Sequence, residues 1–216
     1  MKITTRPATR SDIPALAAIN IHAFRNTPLH SNAFPNLPYD AVHAAKQQRY
    51  LRKLAHPETH VLAAVDESGV VVGCARWLIP GVVRTTAAEA GHEEKKEEEM
   101  LPEGTNREIY EGFFRVLEER GREFLREDDI VLEFLATHPD AQRKGVGKAL
   151  LTWGMERADQ LQRRIYLEAT TEGLPVYEKL GWRELARVVL DYSRWGGEGG
   201  QELTLMVRDP GSPSLS

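Results

Sequence analysis

Residues 142–147 (QRKGVG) combine two basic side chains with two glycines where an apolar run gives way to a helix-forming segment. The first turn of a helix exposes unpaired backbone N–H groups and carries a partial positive charge, so a glycine-rich turn entering a helix can bind phosphate. Gly145 and Gly147 remove side chains that would hold the backbone away from such an anion. Arg143 and Lys144 add positive charge at the positive end of the helix dipole, which is unfavourable by itself. A bound polyanion would offset this repulsion. The pattern predicts a site for a phosphorylated ligand.

Two nucleotide-binding motifs are absent from this stretch. A P-loop needs GxxxxGK[ST], and Gln142 stands where its first glycine would be; the full GxGxxG of dinucleotide-binding folds is missing as well. An ordinary strand–helix turn with surface basic residues is the alternative to an anion site. The helix predicted over residues 145–162 carries small and apolar side chains on one face, which indicates close packing on a sheet.

The rest of the chain alternates strand-like and helix-like segments, which favours an α/β or α+β sheet flanked by helices. Strand patterns occur at residues 2–6, 60–79 (a hairpin), 129–137, 164–170, 182–192 and 202–207, and helix patterns at 11–24, 40–55, 145–162 and 173–181. Residues 28–39, which contain three prolines, are predicted to be a loop. We expect one domain over residues 1–208, with a charged helical insertion at about 83–128 and a disordered tail at 209–216.

Composition narrows the class of protein. The 216 residues are 41% hydrophobic with a formal net charge of −4, so no overall positive field favours nucleic acid or an anionic membrane as a partner. The N-terminal residues lack the apolar core of a signal peptide, and no apolar run reaches the roughly 20 residues that span a bilayer. The single cysteine, Cys74, has strand-like flanks that favour a core position over a reactive thiol. We expect a soluble protein of the cytoplasm, or alternatively of the nucleus.

Two segments resemble a known family. The stretch LATHPDAQRKGVGKALL is similar to the acetyl-CoA signature [QR]xxGx[GA] of the GNAT N-acetyltransferase superfamily, and VYEKLGW is similar to its second signature, LYEKxGF. Both occur in the expected order, and the order of elements is compatible from Ile3 to Val207. The resemblance implies a GNAT-like mixed, mostly antiparallel sheet of six to seven strands flanked by helices. The sheet would be splayed between the strands that end at Thr137 and Thr170, with acetyl-CoA in the gap.

The resemblance also implies which residues contact the cosubstrate. The backbone of the strand ending at Thr137 would bind the pantetheine arm, and the amides of residues 143–148 would bind the pyrophosphate. The implied cofactor-binding residues are Leu135, Ala136, Thr137, Gln142, Arg143, Lys144, Gly145, Val146, Gly147, Lys148, Thr170 and Tyr177. Many relatives carry asparagine at the position of Thr170 and alanine at that of Gly173.

Acetyl transfer to an amine sets two chemical requirements. An alkylamine with a pKa near 10.4 is only about one part in a thousand neutral at pH 7, so its attack on a thioester needs a base or a pocket that lowers that pKa. The departing thiolate benefits from a proton donor. Tyr177 matches the tyrosine that protonates the sulfur in many relatives, with a packed core tyrosine as the alternative. For the base we expect Glu133, which two-residue spacing places on the face of Leu135 and Thr137; Glu168, or no side-chain base, is the alternative.

The histidines carry weaker predictions. His138 precedes Pro139 in a turn, where it fits a loop or the cofactor edge better than a catalyst. His56 and His60 are four residues apart, but Pro57 makes a continuous helix through both unfavourable. No metal site is predicted.

These features predict an enzyme that transfers an acetyl group from acetyl-CoA to a primary amine, of a small molecule, by direct attack in a ternary complex. The alternatives are a non-catalytic acyl-CoA-binding sensor or partner-binding module and a protein lysine or N-terminal acetyltransferase. The resemblance implies that variable loops select the acceptor, here residues 25–39, 80–128 and 193–201. Residues 93–99 carry five glutamates and two lysines, which indicates a solvated helical face or an acidic rim that attracts a cationic acceptor. The oligomeric state is left open.

Overall fold

A seven-stranded sheet carries the helices of this chain on its two faces. A computed structural model describes residues 2–83 and 101–213. The strands are β1 Thr4–Pro7, β2 Thr59–Val65, β3 Val71–Leu78, β4 Ile130–Thr137, β5 Ile165–Thr170, β6 Arg183–Asp191 and β7 Gly200–Arg208. The helices are α1 Ile13–Phe24, α2 Pro28–Ala33, α3 Tyr39–Ala55, α4 Arg107–Gly121, α5 Val146–Leu161 and α6 Leu174–Lys179.

The sheet is splayed at its centre. Its strand order is β1-β2-β3-β4-β5-β7-β6, and the pair β4–β5 is parallel whereas the neighbouring pairs are antiparallel. The β4–β5 pairing extends only from Ile130 and Ile165 to Leu132 and Leu167. Beyond these residues β4 continues to Thr137 with β3 as its partner. The predicted mixed, mostly antiparallel sheet with a gap between these two strands is confirmed.

A bulge interrupts β4 opposite β3. Arg76 pairs with Phe134 and Trp77 pairs with Leu132, so Glu133 is the extra residue. An extra residue shifts the side-chain alternation by one position, because successive strand residues point to opposite faces. The bulge therefore decides to which face of the sheet each side chain of β4 points beyond Leu132.

Helices α5 and α6 cover one face of the sheet. Leu150 and Leu151 of α5 are fully buried there. Gly154 allows the close approach, since a Cβ at this position would lie 2.2 Å from the Trp77 ring. The predicted close packing of this helix through small residues is confirmed.

The opposite face is covered by the other four helices. Leu16 of α1 and Tyr50 of α3 pack with buried residues of β2 and β3, including Val61. Ile109 of α4 packs with Tyr166 of β5 and with buried residues of β6 and β7. The strand alternation divides the two faces: in β2, Val61 belongs to this core and its neighbour Leu62 to the other.

The predicted loop over residues 28–39 is wrong in its first half, where α2 forms. Pro28 occupies the first turn, in which proline is tolerated because no intrahelical N–H is needed there. The hydroxyl of Thr27 caps the helix by accepting a hydrogen bond from the His30 backbone N–H at 3.3 Å. Helix α4 lies within the segment predicted as a charged helical insertion. The acidic residues 93–99 lie outside the described residues.

The end of the described chain folds back on α5. The Gly211 backbone N–H donates to Asp159 Oδ1 at 2.8 Å, and Arg208 donates to the Ser212 carbonyl oxygen at 2.9 Å. Residues 214–216 of the predicted tail lie outside the described residues. Among the helices in residues 2–83 and 101–213, none combines the length and the apolar character required to cross a bilayer.

Candidate active site

The turn before α5 presents a row of unpaired backbone amides. Within the described residues, none of the six N–H groups from Arg143 to Lys148 donates a hydrogen bond, and the next amide, of Ala149, donates to the Gly145 carbonyl oxygen at 3.0 Å. Arg143 (φ 59°) and Gly145 (φ 85°) have left-handed backbone, which turns neighbouring amides towards a common concave side. We call these six N–H groups the amide row; unpaired amides at a helix start are the kind of donors that an anion site uses.

The space in front of the amide row is open at the two glycines. A Cβ built on Gly145 meets no described atom within 4 Å, and one on Gly147 meets Thr137 Oγ1 at 3.9 Å. Val146 is 1% exposed and packs in the core, so it places no side chain in this space. The two glycines therefore leave the backbone of this turn unobstructed by side chains.

Basic and polar side chains surround the amide row. The side chains of Gln142, Arg143, Lys144 and Lys148 are all exposed. Lys144 Nζ donates to the Asp140 carbonyl oxygen at 2.6 Å, which holds this ammonium group over the turn. The structure thus brings the predicted anion-binding residues together at one end of α5.

The gap beyond Leu132 leaves one edge of β4 without a neighbouring strand. Leu135 and Ala136 pair with β3 through their other edge, and so does Thr137. Among the described residues, no strand pairs with β4 on the gap side beyond Leu132, so its backbone groups there could bind an extended ligand as an added strand would. Thr137 also lies beside Gly147, so the strand edge leads directly to the amide row.

Thr170 ends β5 on the other side of the gap. Its hydroxyl accepts a hydrogen bond from the Gly173 backbone N–H at 3.3 Å. Helix α6 then begins at Leu174 with Pro175 in its first turn, where a missing N–H does no harm. Thr170 thus stabilises the turn into α6, and its contact with the cosubstrate stays a prediction.

Tyr177 is a buried side chain of α6. It is 8% exposed and packs edge-on against Trp182, with ring centroids 5.8 Å apart. A Cβ at Gly173 would lie 3.1 Å from the Tyr177 ring, so the glycine leaves room for it. Burial raises the pKa of Tyr177 well above its ordinary value, so the hydroxyl stays protonated at neutral pH. Its predicted role as proton donor requires this protonated form.

Glu133 is held in two ion pairs. Its carboxylate accepts hydrogen bonds from Lys53 Nζ at 2.7 Å and from Arg76 Nε at 2.6 Å. Burial opposes ionisation, but the charges of Arg76 and Lys53 more than offset this and hold the pKa of Glu133 below its ordinary value. A carboxylate with both oxygens in ion pairs and a lowered pKa is a weak proton acceptor.

The predicted common face of Glu133, Leu135 and Thr137 is wrong. Leu135 packs with the core on the α5 side, whereas Glu133 reaches Lys53 of α3 on the opposite side. The bulge is the physical reason, because the extra residue resets the alternation between Glu133 and Leu135.

Glu168 is the first residue of β5 beyond the paired section, as Glu133 is in β4. Its side chain is exposed to solvent, and its Oε1 accepts a hydrogen bond from the Tyr166 hydroxyl at 3.3 Å. Although part of the residue is exposed, its carboxylate lies beside Tyr166 and Gly121. Desolvation there raises the pKa of Glu168; the Tyr166 hydrogen bond opposes this shift, and the negative charge of Glu133 adds to it. Among residues 2–83 and 101–213, no cation forms an ion pair with Glu168.

A polar groove with a volume of about 670 Å³ lies between α2, the start of α4 and the loop before β7. Its walls include Asn26, Ser31, Asn32, Asn106 and residues 196–200. These walls come from all three segments that the sequence predicts to select the acceptor.

Asn32 joins two walls of this groove. Its Oδ1 accepts from the Glu198 backbone N–H at 2.7 Å, and its Nδ2 donates to the Glu198 carbonyl oxygen at 3.0 Å. The side-chain amide therefore fixes the glycine-rich loop on α2.

The remaining reactive side chains have structural positions. His138 Nδ1 accepts from the Asp140 backbone N–H at 3.3 Å and so stabilises the turn after β4. Cys74 is fully buried, and burial raises the pKa of its thiol to about 11, which disfavours the reactive thiolate. His56 and His60 belong to no cluster of three or more metal-ligating side chains within the described part of the chain.

Three residues beside the gap are not among the predicted site residues: Lys53, Arg76 and Tyr166. Arg76 carried a signal, since a lone arginine in the apolar strand VVGCARWL needs a partner when buried. The sequence contained no signal for Lys53, because it stands on a helix with three other basic residues, Lys46, Arg49 and Arg52, and nothing local distinguishes it.

The chain belongs to the acetyltransferase (GNAT) family, whose model matches residues 25–182. The family predicted from the two motifs is therefore confirmed. An acetyltransferase from Stachybotrys chartarum is 24% identical over 192 residues, which cover 85% of this chain and 81% of that protein. A shorter match, 39% identical over 46 residues, covers 21% of this chain and 34% of the probable acyltransferase SID5 from Ajellomyces capsulatus.

Solved structures share the whole fold. The histone acetyltransferase HPA2 and related acetyltransferase from Corynebacterium glutamicum is 25% identical, with a TM-score of 0.64 over 100% of both chains. A GNAT superfamily phosphinothricin acetyltransferase from Sinorhizobium meliloti, in complex with AcCoA, has a TM-score of 0.56 at 18% identity and covers 99% of this chain and 91% of that chain. Family membership supports acetyl transfer as the class of reaction.

Proposed function

We propose that this protein transfers an acetyl group from acetyl-CoA to the primary amine of a small molecule, by direct attack in a ternary complex. The amide row at Arg143 to Lys148, next to the open edge of β4, carries the proposal. Free amides at a helix start suit a pyrophosphate, and a free strand edge suits the amide groups of a pantetheine arm. The AcCoA complex of the S. meliloti protein, which shares the fold, supports this cosubstrate.

The chain's own residues supply orientation and a proton. The amide row and the β4 edge hold the cosubstrate, which brings the activated acetyl thioester. Arg143 and Lys144 balance phosphate charge at the rim. Tyr177 donates its hydroxyl proton to the departing sulfur, and its burial keeps that proton in place at neutral pH.

The polar groove is the proposed place for the body of the acceptor. Its volume of about 670 Å³ lies within the range of roughly 300–1,000 Å³ that is usual for small-molecule sites. Asn26, Ser31 and Asn106 offer uncharged hydrogen-bonding groups. This lining suits an amine that carries hydroxyl or amide groups.

Turnover with a panel of amines tests the function. Purified protein is mixed with acetyl-CoA and with polyhydroxylated amines, amino acids, polyamines or peptides, and the released thiol of CoA is measured. Calorimetry measures acetyl-CoA affinity in parallel. Release with small amines supports the proposal, whereas tight binding without release across the panel indicates a sensor. Release with peptides alone indicates a protein acetyltransferase.

Blocking the groove should weaken acceptor use selectively. In Ser31→Trp the indole occupies groove volume from an exposed position, so the acceptor KM should rise about tenfold or more while acetyl-CoA affinity is unchanged. Steady-state kinetics and calorimetry give the two values. Gln160→Trp is the matched control, because it places the same ring at an exposed position of α5, on the other sheet face. Equal acceptor KM values in both variants would remove the groove from the acceptor site.

A further inference from the structure

We infer that Glu168 is the base that deprotonates the acceptor ammonium, and that Glu133 is a positioning residue that maintains the gap. The inference rests on the proposed transfer to an amine. It reverses the assignment favoured by the sequence, in which Glu133 is the base and Glu168 is the alternative.

The geometry of the gap places both carboxylates at its apex. Leu132 and Leu167 form the last β4–β5 pair, and the next residue of each strand is a glutamate. Both point to the face covered by α3 and α4: Glu133 contacts Lys53 of α3, and Glu168 lies close to Gly121 of α4. An acceptor that enters from this face meets the thioester where the strands separate.

The two carboxylates differ in their partners. Glu133 engages Lys53 and Arg76, one with each oxygen, and joins α3, β3 and the β4 bulge. Taking a proton would break ion pairs that hold the strand in place. Within residues 2–83 and 101–213, Glu168 has one hydrogen-bond partner, the Tyr166 hydroxyl, and its side chain is exposed. It can bind an ammonium group without losing an ion pair.

The groups around Glu168 together raise its pKa. Helix α4 approaches through Gly121, which has no titratable side chain; a Cβ there would lie 4.0 Å from Glu168 Oε1. On β5 itself the neighbour is Tyr166, whose pKa burial raises. Strand β4 contributes the negative charge of Glu133, which forms ion pairs with Arg76 of β3 and Lys53 of α3. Desolvation and the Glu133 charge raise the pKa of Glu168 towards the range that suits a base.

The proton balance of the step is complete with this assignment. Glu168 takes one proton from the acceptor ammonium, and the nitrogen lone pair attacks the thioester carbonyl carbon. The C–N bond forms and the C–S bond breaks, with the sulfur electron pair taking the Tyr177 proton. The second nitrogen proton passes through solvent to restore Tyr177, and Glu168 releases its proton to solvent. The products are an amide, the free thiol and one proton.

A titration without any substrate tests the acid–base property. Protein labelled with ¹³C at the glutamate carboxyl carbons is titrated by NMR, and the Glu168 signal is the one missing from Glu168→Gln. We expect its midpoint to lie above the ordinary range for a glutamate, and to fall in Glu133→Gln because a like charge is removed. A Glu168 midpoint within or below that ordinary range overturns the assignment.

The pH dependence of kcat/KM for an active amine tests the catalytic role. In the wild type it should rise with pH as Glu168 loses its proton and then level off. Glu168→Gln should lower it about 100-fold at pH 7 and remove this acidic limb, and Glu168→Asp should restore the limb with part of the activity. Glu133→Gln should keep the limb, moved to lower pH. Glu156→Gln, an exposed change on α5, should match the wild type.

The possible outcomes separate this inference from the proposed function. The inference is overturned if Glu133→Gln loses the acidic limb of the kcat/KM profile and Glu168→Gln retains it. That outcome assigns the base to Glu133. If both variants retain the acidic limb, the amine reaches the site already neutral, and this outcome also overturns the inference. Wild-type protein that turns over no amine contradicts the proposed function instead, and the NMR midpoint still decides whether Glu168 has the required acid–base property.

Discussion

Gly147→Asp is expected to abolish acetyl-CoA binding while the protein stays folded. Gly147 is the second residue of α5, and a Cβ there meets only Thr137 Oγ1 at 3.9 Å among the described atoms, so the side chain fits. Its carboxylate would occupy the amide row and repel the pyrophosphate. One pair of unit charges at about 4 Å contributes about 4 kcal/mol at an effective dielectric constant near 20, so even partial repulsion predicts a loss of 100-fold or more. Calorimetry with acetyl-CoA measures this loss.

The same substitution should not lower stability. A carboxylate in the first helical turn interacts favourably with the helix dipole by about 0.3–1 kcal/mol, and replacing a helical glycine removes backbone freedom from the unfolded chain. Thermal unfolding should therefore show an equal or higher Tm. Gly147→Asn is the matched control, since it has the same size without the charge and should retain much more affinity. Unchanged affinity in folded Gly147→Asp would contradict the placement of the phosphates at α5.

Tyr177→Phe is expected to lower kcat by about 100-fold and to leave acetyl-CoA affinity largely unchanged. The phenylalanine keeps the ring that packs on Trp182 and deletes only the hydroxyl. General-acid catalysis typically contributes 10²–10⁴-fold, which sets the scale of the loss. Single-turnover kinetics isolates the chemical step, and calorimetry measures the cosubstrate affinity.

The pH profile adds a second check on Tyr177. An ordinary tyrosine would lose its proton near pH 10 and produce a high-pH limb. Burial raises the pKa of Tyr177, so its acid form persists and this limb should lie above the accessible pH range in the wild type. Wild-type kcat in Tyr177→Phe, measured where chemistry limits the rate, would make the tyrosine a packing residue only.

Local sequence determined the family and the turn at which we propose an anion site. The glycines and basic residues of QRKGVG act through the backbone of one turn, and that turn depends on neighbouring residues only. Gly145 adopts a left-handed φ of 85°, as its residue type permits. The apolar strand before the turn and the small-residue face after it likewise follow from local periodicity. For these reasons the amide row was predicted residue by residue.

Tertiary structure decided which of the two carboxylates is held in ion pairs. The two-residue period of β4 predicted a face for Glu133, but the bulge opposite β3 turned that residue towards Lys53 and Arg76. Lys53 is 80 residues away in the chain and Arg76 is 57 away, and no local pattern encodes such pairs. The pKa of a carboxylate depends on these distant charges and on desolvation, so its protonation behaviour arises only when α3, β3 and β4 come together.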